Sequence, residues 1–227
     1  MTSESRPLIA LISATPASMP AASAAFAEIL PEADVWNILD DRLLVEADAQ
    51  GGLTAPLAER MARLIRHAAL EKADGILLTC SMYGPVAHQI AAELDIPVYG
   101  SDDAAFGAAL SGEYSRILLV ASLEVPLADA MTRFDAAASD AGTTVDVSGI
   151  VAQGAFTAAK DGDVDRLADS LVAAVAGVDS DFDAVLLAQY SLAIVAEQLE
   201  ARVGIPVLAG PRRAAAALRD DLIEDVR

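Results

Sequence analysis

The sequence predicts an α/β fold of two pseudo-symmetric lobes, each with a central parallel sheet flanked by helices, and a cleft between the lobes. Three observations predict it. Short, continuous apolar runs alternate with longer stretches of helical periodicity, as expected of buried parallel strands joined by crossover helices. The chain also repeats itself. Cys80 aligns with Gln189, an offset of 189 − 80 = 109, and the same offset places Asp74 on Asp183, Leu77-Leu78 on Leu186-Leu187 and Val86-Ala87 on Val195-Ala196. It also places Gln89 on Gln198 and Ile96-Pro97-Val98 on Ile205-Pro206-Val207, which points to a duplicated unit. Third, 227 residues with 54% hydrophobic content suffice for two lobes of roughly 100 residues, each with its own core. The expected division is 1–103 plus 211–227 for the first lobe and 104–210 for the second.

Leu8–Ser13, Val35–Leu39, Gly75–Thr79 and Val98–Gly100 read as the strands of the first lobe. Thr54 stands where it can cap a helix with Pro56 in its first turn, and Leu57, Met61, Leu64, Ile65 and Ala68 form that helix's apolar stripe. A further helix is expected to start near Gly84-Pro85, since proline is tolerated in a first turn. Ile117–Ala121, Thr144–Ser148, Ala184–Ala188 and Val207–Ala209 read as the second set of strands, with a helix over Val164–Val178. Arg212–Arg227 should be a helix that packs back on the first lobe. Asp40-Asp41, Gly51-Gly52, Gly142 and Gly154 mark loops.

Composition narrows the function classes. The formal net charge is −19, from 15 basic and 34 acidic side chains. Such a surface repels phosphate backbones, so no nucleic-acid partner is expected. The acids are dispersed along helices, and solubility accounts for them. No apolar stretch approaches the ~20 residues of a membrane span, so no membrane partner is expected either. The start, Met1-Thr2-Ser3-Glu4-Ser5-Arg6-Pro7, lacks the basic and apolar regions of a secretory signal. One cysteine cannot form an intrachain disulfide, which fits the cytoplasm. There is no dinucleotide fingerprint, P-loop or serine-hydrolase elbow, and no cluster with metal-ligand spacing. The oligomeric state, homodimer or higher homo-oligomer, is left open.

Open α/β sheets bind ligands outside the carboxyl ends of their strands. Cys80, Gln189, Ala14-Thr15-Pro16 and Ser122 all fall at such ends. A lone cysteine is more often a small buried hydrophobe than a catalyst. Cys80 stands out because it succeeds a strand, precedes a helix and belongs to a repeated motif. A helix start beside the sulfur favours the thiolate, which can act as a general base or a nucleophile. Thr79 and Ser81 flank it, and their hydroxyls could hold a carboxylate; Ser81 could equally be a helix cap. Thr15 is a turn residue or a carboxylate donor. Tyr83 and Tyr190 could bring phenols to the cleft or pack at its lip. His67 reads as a surface residue, and His88 lies about two turns beyond Cys80.

Taken together, Leu77-Leu78-Thr79-Cys80-Ser81, Leu186-Leu187-Ala188-Gln189-Tyr190, Ile12-Ser13-Ala14-Thr15-Pro16 and Val35-Trp36-Asn37-Ile38-Leu39-Asp40-Asp41 resemble the aspartate/glutamate/hydantoin racemase superfamily over nearly the whole chain. The resemblance implies a cofactor-independent enzyme. In that family two cysteines, on opposite sides of a small carboxylate substrate, move a proton at the carbon beside the carboxylate. Carried over, Cys80 is the first of the pair, and Thr15, Thr79, Ser81, Gln189 and Tyr190 are the substrate-binding candidates. The second cysteine is replaced by Gln189, which cannot exchange a proton near neutral pH. The loop Ser122-Leu123-Glu124-Val125-Pro126 also departs from the family's threonine-containing loop. The arylmalonate decarboxylase branch keeps one cysteine, at the other position. The expected activity is therefore that of a racemase or epimerase on an amino acid or related small carboxylate. The alternatives are a single-cysteine lyase of the malonate-decarboxylase type and a non-catalytic small-molecule binding protein.

Overall fold

The computed structural model describes residues 6–224; the polar segment 1–5 and the last three residues lie outside the described residues. The chain runs β1 (Leu8–Ser13), α1 (Met19–Ile29), β2 (Asp34–Leu39), α2 (Arg42–Ala49), α3 (Ala55–Leu70), β3 (Gly75–Leu78), α4 (Gly84–Ala91) and β4 (Val98–Tyr99). It continues through α5 (Asp103–Ala109), β5 (Arg116–Ala121), α6 (Glu124–Asp140), β6 (Asp146–Val151), α7 (Ala155–Asp161), α8 (Val164–Ala176), β7 (Ala184–Leu187), α9 (Ala196–Val203), β8 (Val207–Ala209) and α10 (Gly210–Glu224). Short 3-10 turns, Pro16–Ser18, Ser81–Tyr83 and Tyr190–Val195, stand just past the exits of β1, β3 and β7.

The strands form two four-stranded parallel sheets of the same order, β2-β1-β3-β4 and β6-β5-β7-β8. Ile9 pairs with Gly75 in the first, and Ile117 with Ala184 in the second, so the register as well as the order is repeated. The chain divides into a unit of Met1–Ser101 with Ala214–Arg227 and a unit of Asp102–Arg213.

Alternation along the central strands assigns the faces. In the first unit Ala10, Ile12, Ile76 and Leu78 share a core with Leu43 and Ala47 of α2, Leu57, Met61, Ile65 and Ala68 of α3, and Val86, Ala87 and Ile90 of α4. On the other face, α10 approaches so closely that Leu218 Cδ2 lies 2.8 Å from where a Cβ on Gly75 would stand, and Ile9 Cδ1 lies 3.2 Å from it. In the second unit Leu118, Val120, Val185 and Leu187 pack with α7, α8 and α9. Ile117, Leu119, Ala121, Ala184 and Leu186 pack with Phe106 of α5 and Phe134 of α6, whose rings meet edge to face at 5.2 Å. The two halves thus exchange a helix. α5 leaves β4 of the first sheet to cover the second, and α10 leaves β8 of the second to cover the first.

Each sheet is also closed at its entry by the same polar device. Asp74 Oδ2 accepts the Leu8 N–H at 2.7 Å, while Asp183 Oδ2 accepts the Ser115 and Arg116 N–H groups at 2.8 Å each. The aligned aspartates therefore tie the start of β3 to β1 and the start of β7 to β5.

Two local expectations are corrected. β6 lies later than Thr144–Ser148, because Thr143 N–H is bonded to Ala138 O as part of the α6 ending, and pairing with all of β5 carries the strand to Val151. Gly149 sits inside it because α6 leaves no room; a Cβ there would stand 2.9 Å from Leu127 Cδ1. Thr54 does precede α3 with extended backbone, but its hydroxyl bonds Gln50 Oε1 at 3.1 Å and makes no helix cap.

Leu218→Ala should lower stability by about 2–5 kcal/mol, as expected for truncating a buried leucine, read from urea unfolding. The Asp183 carboxyl is held below its ordinary value of 3.8, chiefly by the Ser115 and Arg116 N–H groups. Its stabilisation is therefore fully present above that value and is lost as the pH falls through the lowered one. The stability gap between wild type and Asp183→Asn should be constant near neutrality and close progressively in acid. A gap that persists unchanged at the lowest pH would contradict this linkage.

Candidate active site

In each sheet the chain leaves the second-placed strand (β1 or β5) toward one edge and returns on its other side. The exits of β1 and β3, and those of β5 and β7, therefore flank the point where strand order reverses. Loops leaving such neighbouring strands in opposite senses open a crevice that ligands use.

At the first of these points four oxygens form a chain. Ser18 Oγ donates to the Thr15 carbonyl at 3.1 Å, which uses its single hydrogen. Thr79 must then donate to Ser18 Oγ at 2.7 Å, and Ser13 Oγ must donate to Thr79 Oγ1 at 2.8 Å. Ser13, Ser18 and Thr79 are all buried. The chain pins the exit of β3 to that of β1 and holds the Thr15 turn against both. Thr79 is therefore an internal strut whose one hydrogen is spent. Thr15 Oγ1 accepts the Ala17 N–H at 3.4 Å, so its hydroxyl hydrogen is uncommitted among the described residues.

Cys80 comes next, half-buried, with extended backbone, at the entry of the turn Ser81–Tyr83. Its carbonyl accepts the Tyr83 N–H at 3.1 Å, the first bond of that turn, so the Ser81 and Met82 N–H groups precede it unbonded within the turn. Ser81 is half-buried and makes no capping bond, which removes the cap reading for its side chain. α4 begins only after this turn, so a 3-10 turn, not an α-helix, directly adjoins the sulfur-bearing residue.

Tyr83 is fully buried and donates to the Leu43 carbonyl at 2.9 Å. Burial, reinforced by the charges of Cys80 and Asp40, pushes its phenol up to about 12. It is a packing residue, not a proton carrier. Asp40, at the exit of β2, is held by Arg60 through two contacts of 2.6 and 2.7 Å. Arg60 also reaches Glu46 at 3.4 Å, and Arg42 meets Glu46 at 2.7 Å. His88 and His67 are exposed, and His67 stands edge-on to Trp36 at 5.5 Å.

The equivalent point of the second sheet is built differently. Ala121 and Ala188 replace Ser13 and Thr79, so no hydroxyl chain forms. Instead the Ser122 N–H and hydroxyl both donate to Gln189 Oε1, each at 2.8 Å. Tyr190 is buried, and its hydroxyl has no hydrogen-bond partner among the described residues. Burial, with Asp102 and Asp103 nearby, raises its pKa well above the ordinary tyrosine value. Asp102 is paired with Arg133 by two contacts of 2.9 Å.

Cys80, Thr15, Thr79 and Ser81 thus stand at the switch point of the first sheet, and Gln189 and Tyr190 at that of the second. Sequence reading missed Ser18 and Ser13, and it placed Ser122 at a strand end without giving it a role. For Ser122 a signal existed: the repeat aligns it with Ala14, the residue after β1, as it aligns Gln189 with Cys80 after β3. Among the described residues no group of three or more His, Cys, Asp and Glu side chains could hold a metal ion. Nor is any helix there long and apolar enough to cross a membrane.

The solved structures that share this fold include an allantoin racemase from Klebsiella pneumoniae, with TM-score 0.71 and 17% identity over 96% of this chain and 89% of that one. They also include a glutamate racemase isoform from Bacillus anthracis, with TM-score 0.73 and 13% identity over 97% and 83%. An aspartate racemase from Picrophilus torridus has TM-score 0.66 and 15% identity over 95% and 94%. Among curated proteins none matches the sequence. Fold and family together define a racemase-type enzyme. The chain belongs to the Asp/Glu/Hydantoin racemase family, whose model matches residues 12–218.

Thr79→Val should leave the buried Ser13 hydroxyl without its acceptor and the turn at Thr15 without its strut. The expected cost is about 1–3 kcal/mol of stability by urea unfolding, with the fold retained. A neutral substitution would show that the hydroxyl chain does not hold the two strand exits together.

Proposed function

We propose that the protein is a racemase or epimerase acting on a small carboxylate, an amino acid or a relative of one, with Cys80 as its one side-chain acid/base. The observation that supports this most is the gathering of Cys80 with Thr15 and Ser81 at the switch point of the first sheet. Thr15 keeps an uncommitted hydroxyl hydrogen, Ser81 makes no cap, and the first N–H groups of the 3-10 turn precede its first bond. Such donors suit a carboxylate. Thr79 contributes by fixing the Thr15 turn, not by touching the substrate.

The thiolate takes the proton from the carbon beside the carboxylate, and the electron pair left there is delocalised onto the carboxylate oxygens. The opposite face is then reprotonated from solvent. Gln189 has no exchangeable acid/base function near neutrality, and the Tyr190 phenol, held above its ordinary range, stays protonated. The same one-sidedness favours a lyase as the second reading. There a C–C bond breaks, carbon dioxide leaves, and the pair left on carbon takes the proton of the Cys80 thiol. The lone cysteine supports a reducing, cytoplasmic setting.

Candidate amino acids and substituted malonates incubated in D₂O would separate the readings by NMR. A racemase places deuterium on the α-carbon of both enantiomers, whereas a lyase gives one labelled enantiomer of a decarboxylated product. Cys80→Ala should lower either rate by about 10²–10⁴, the contribution of a positioned acid/base. Undiminished turnover in Cys80→Ala would eliminate the thiol mechanism.

A further inference from the structure

The turn that Cys80 opens, Ser81–Tyr83, has little local support. No side chain caps it, and its backbone bonds are Tyr83 N–H to the Cys80 carbonyl at 3.1 Å and Gly84 N–H to the Ser81 carbonyl. Bonds of this 3-10 type have poorer geometry than those of an α-helix. A longer-range hold comes from Tyr83. Its ring is fully buried in the core that β1 and β3 share with α2, α3 and α4. Its hydroxyl donates to the Leu43 carbonyl of α2 at 2.9 Å.

α2 is itself fastened. Arg60 of α3 meets Asp40, the residue after β2, at 2.6 and 2.7 Å, and reaches Glu46 of α2 at 3.4 Å. The Asp40 N–H donates to the Ser13 carbonyl at 3.0 Å, and Ser13 Oγ meets Thr79 Oγ1 at 2.8 Å. The segment that bears the sulfur is therefore suspended between two buried hydroxyls of one frame. Thr79 stands directly before Cys80, and Tyr83 stands three residues beyond it.

The second half shows what packing alone asks of these positions. The offset 192 − 83 = 109 places Tyr83 on Leu192, which is fully buried in its own core. Asp40 and Ala152 are equivalent by strand register, each bonded through its N–H to the carbonyl at the end of the neighbouring strand. Ala188 replaces Thr79. The half without a thiol thus fills the same positions with apolar residues and has neither the hydroxyls nor the acid. A buried hydroxyl costs desolvation that a leucine avoids, so filling space does not call for one. Nor does the phenol carry a proton, since burial above all pushes it up to about 12.

We infer that Tyr83 is a positioning residue for Cys80: its bond to Leu43 holds the turn that keeps the sulfur beside the Ser81 and Met82 N–H groups. This rests on the proposed role of Cys80 as the acid/base, and it lies wholly within the first unit.

The chain has one cysteine, so alkylation by iodoacetamide reports on Cys80 alone. The thiolate is the reacting form, and the midpoint of the rate against pH measures how far the fold favours it. The charges acting on Tyr83 are those of Cys80, Asp40, Arg60 and Glu46, and Tyr83→Phe alters none of them. That variant should move the midpoint up by about half a pH unit or more, about threefold less thiolate at a pH below both midpoints. Tyr83→Leu, which copies the second half, should move it the same way, and circular dichroism checks that each variant folds. Leu218→Ala loosens the same unit from the other face of the sheet and should leave the midpoint in place. A midpoint unchanged or lowered in the folded variants, an equal shift in Leu218→Ala, or a native Cys80 that iodoacetamide does not reach overturns the inference. A raised midpoint in Tyr83→Phe together with undiminished exchange in Cys80→Ala would instead overturn the thiol mechanism and leave this inference standing.

Discussion

A parallel sheet ordered 2-1-3-4 dictates where this protein can hold a ligand. Its crossovers reverse direction between the first and third strands, and the chain leaving those strands must part to opposite sides. Polar residues at that point have no sheet partner above them and little chain to cover them. In this protein the reversal happens twice, with the same order and the same register, so the molecule has two equivalent places to put chemistry. What each place does depends on a handful of residues just beyond the strand ends.

Those residues have diverged from a common framework. The framework itself is kept by matched devices: the aspartates at the strand entries, and the helices that each half lends to the other. The exits are held in two unrelated ways. In the first half a directed run of buried hydroxyls crosses between strands, and it does not draw on the thiol or on the Thr15 hydroxyl hydrogen. In the second half a single amide oxygen takes both donors of Ser122. Each solution satisfies the buried polar groups that it introduces, as the low-dielectric interior demands. The hydroxyl run and the amide clamp also differ chemically. The first leaves hydrogen-bond donors beside a group that can ionise, and the second leaves donors beside none.

Much of this was legible from sequence. Leu8–Ser13 and Val207–Ala209 were readable to the residue, because fully buried parallel strands are continuous apolar runs. Cys80 and Gln189 could be paired because the motifs around them repeat without a gap. Legibility failed where a tertiary contact outweighed a local signal. Gly149 looks like a strand breaker, yet it lies inside β6 because α6 packs against it. Thr54 has the chemistry of a cap, yet Gln50 takes its hydroxyl. Thr79 and Ser81 look alike as neighbours of the thiol, but strand alternation sends the first inward to Ser13 and leaves the second outside the hydroxyl chain. Which of two adjacent hydroxyls is spent and which remains available is settled by direction, and composition carries no direction.

Tyr190 shows how far the asymmetry reaches. It replaces Ser81 in the repeat, so a small polar residue has become a large aromatic whose hydroxyl is enclosed and unbonded. A buried hydroxyl in that state costs about 1–3 kcal/mol. Ionising it would cost more, since burial and the carboxylates of Asp102 and Asp103 all oppose the phenolate. The pairing of Arg133 with Asp102 relieves one of those charges without supplying the phenol with a partner. Gln189, Ser122 and Tyr190 therefore share one property: none can accept a proton near neutral pH. The second half does not hold a weakened version of the thiol's chemistry. Its polar groups serve an amide clamp and packing, and any reaction centred on Cys80 must find its second proton outside these three side chains.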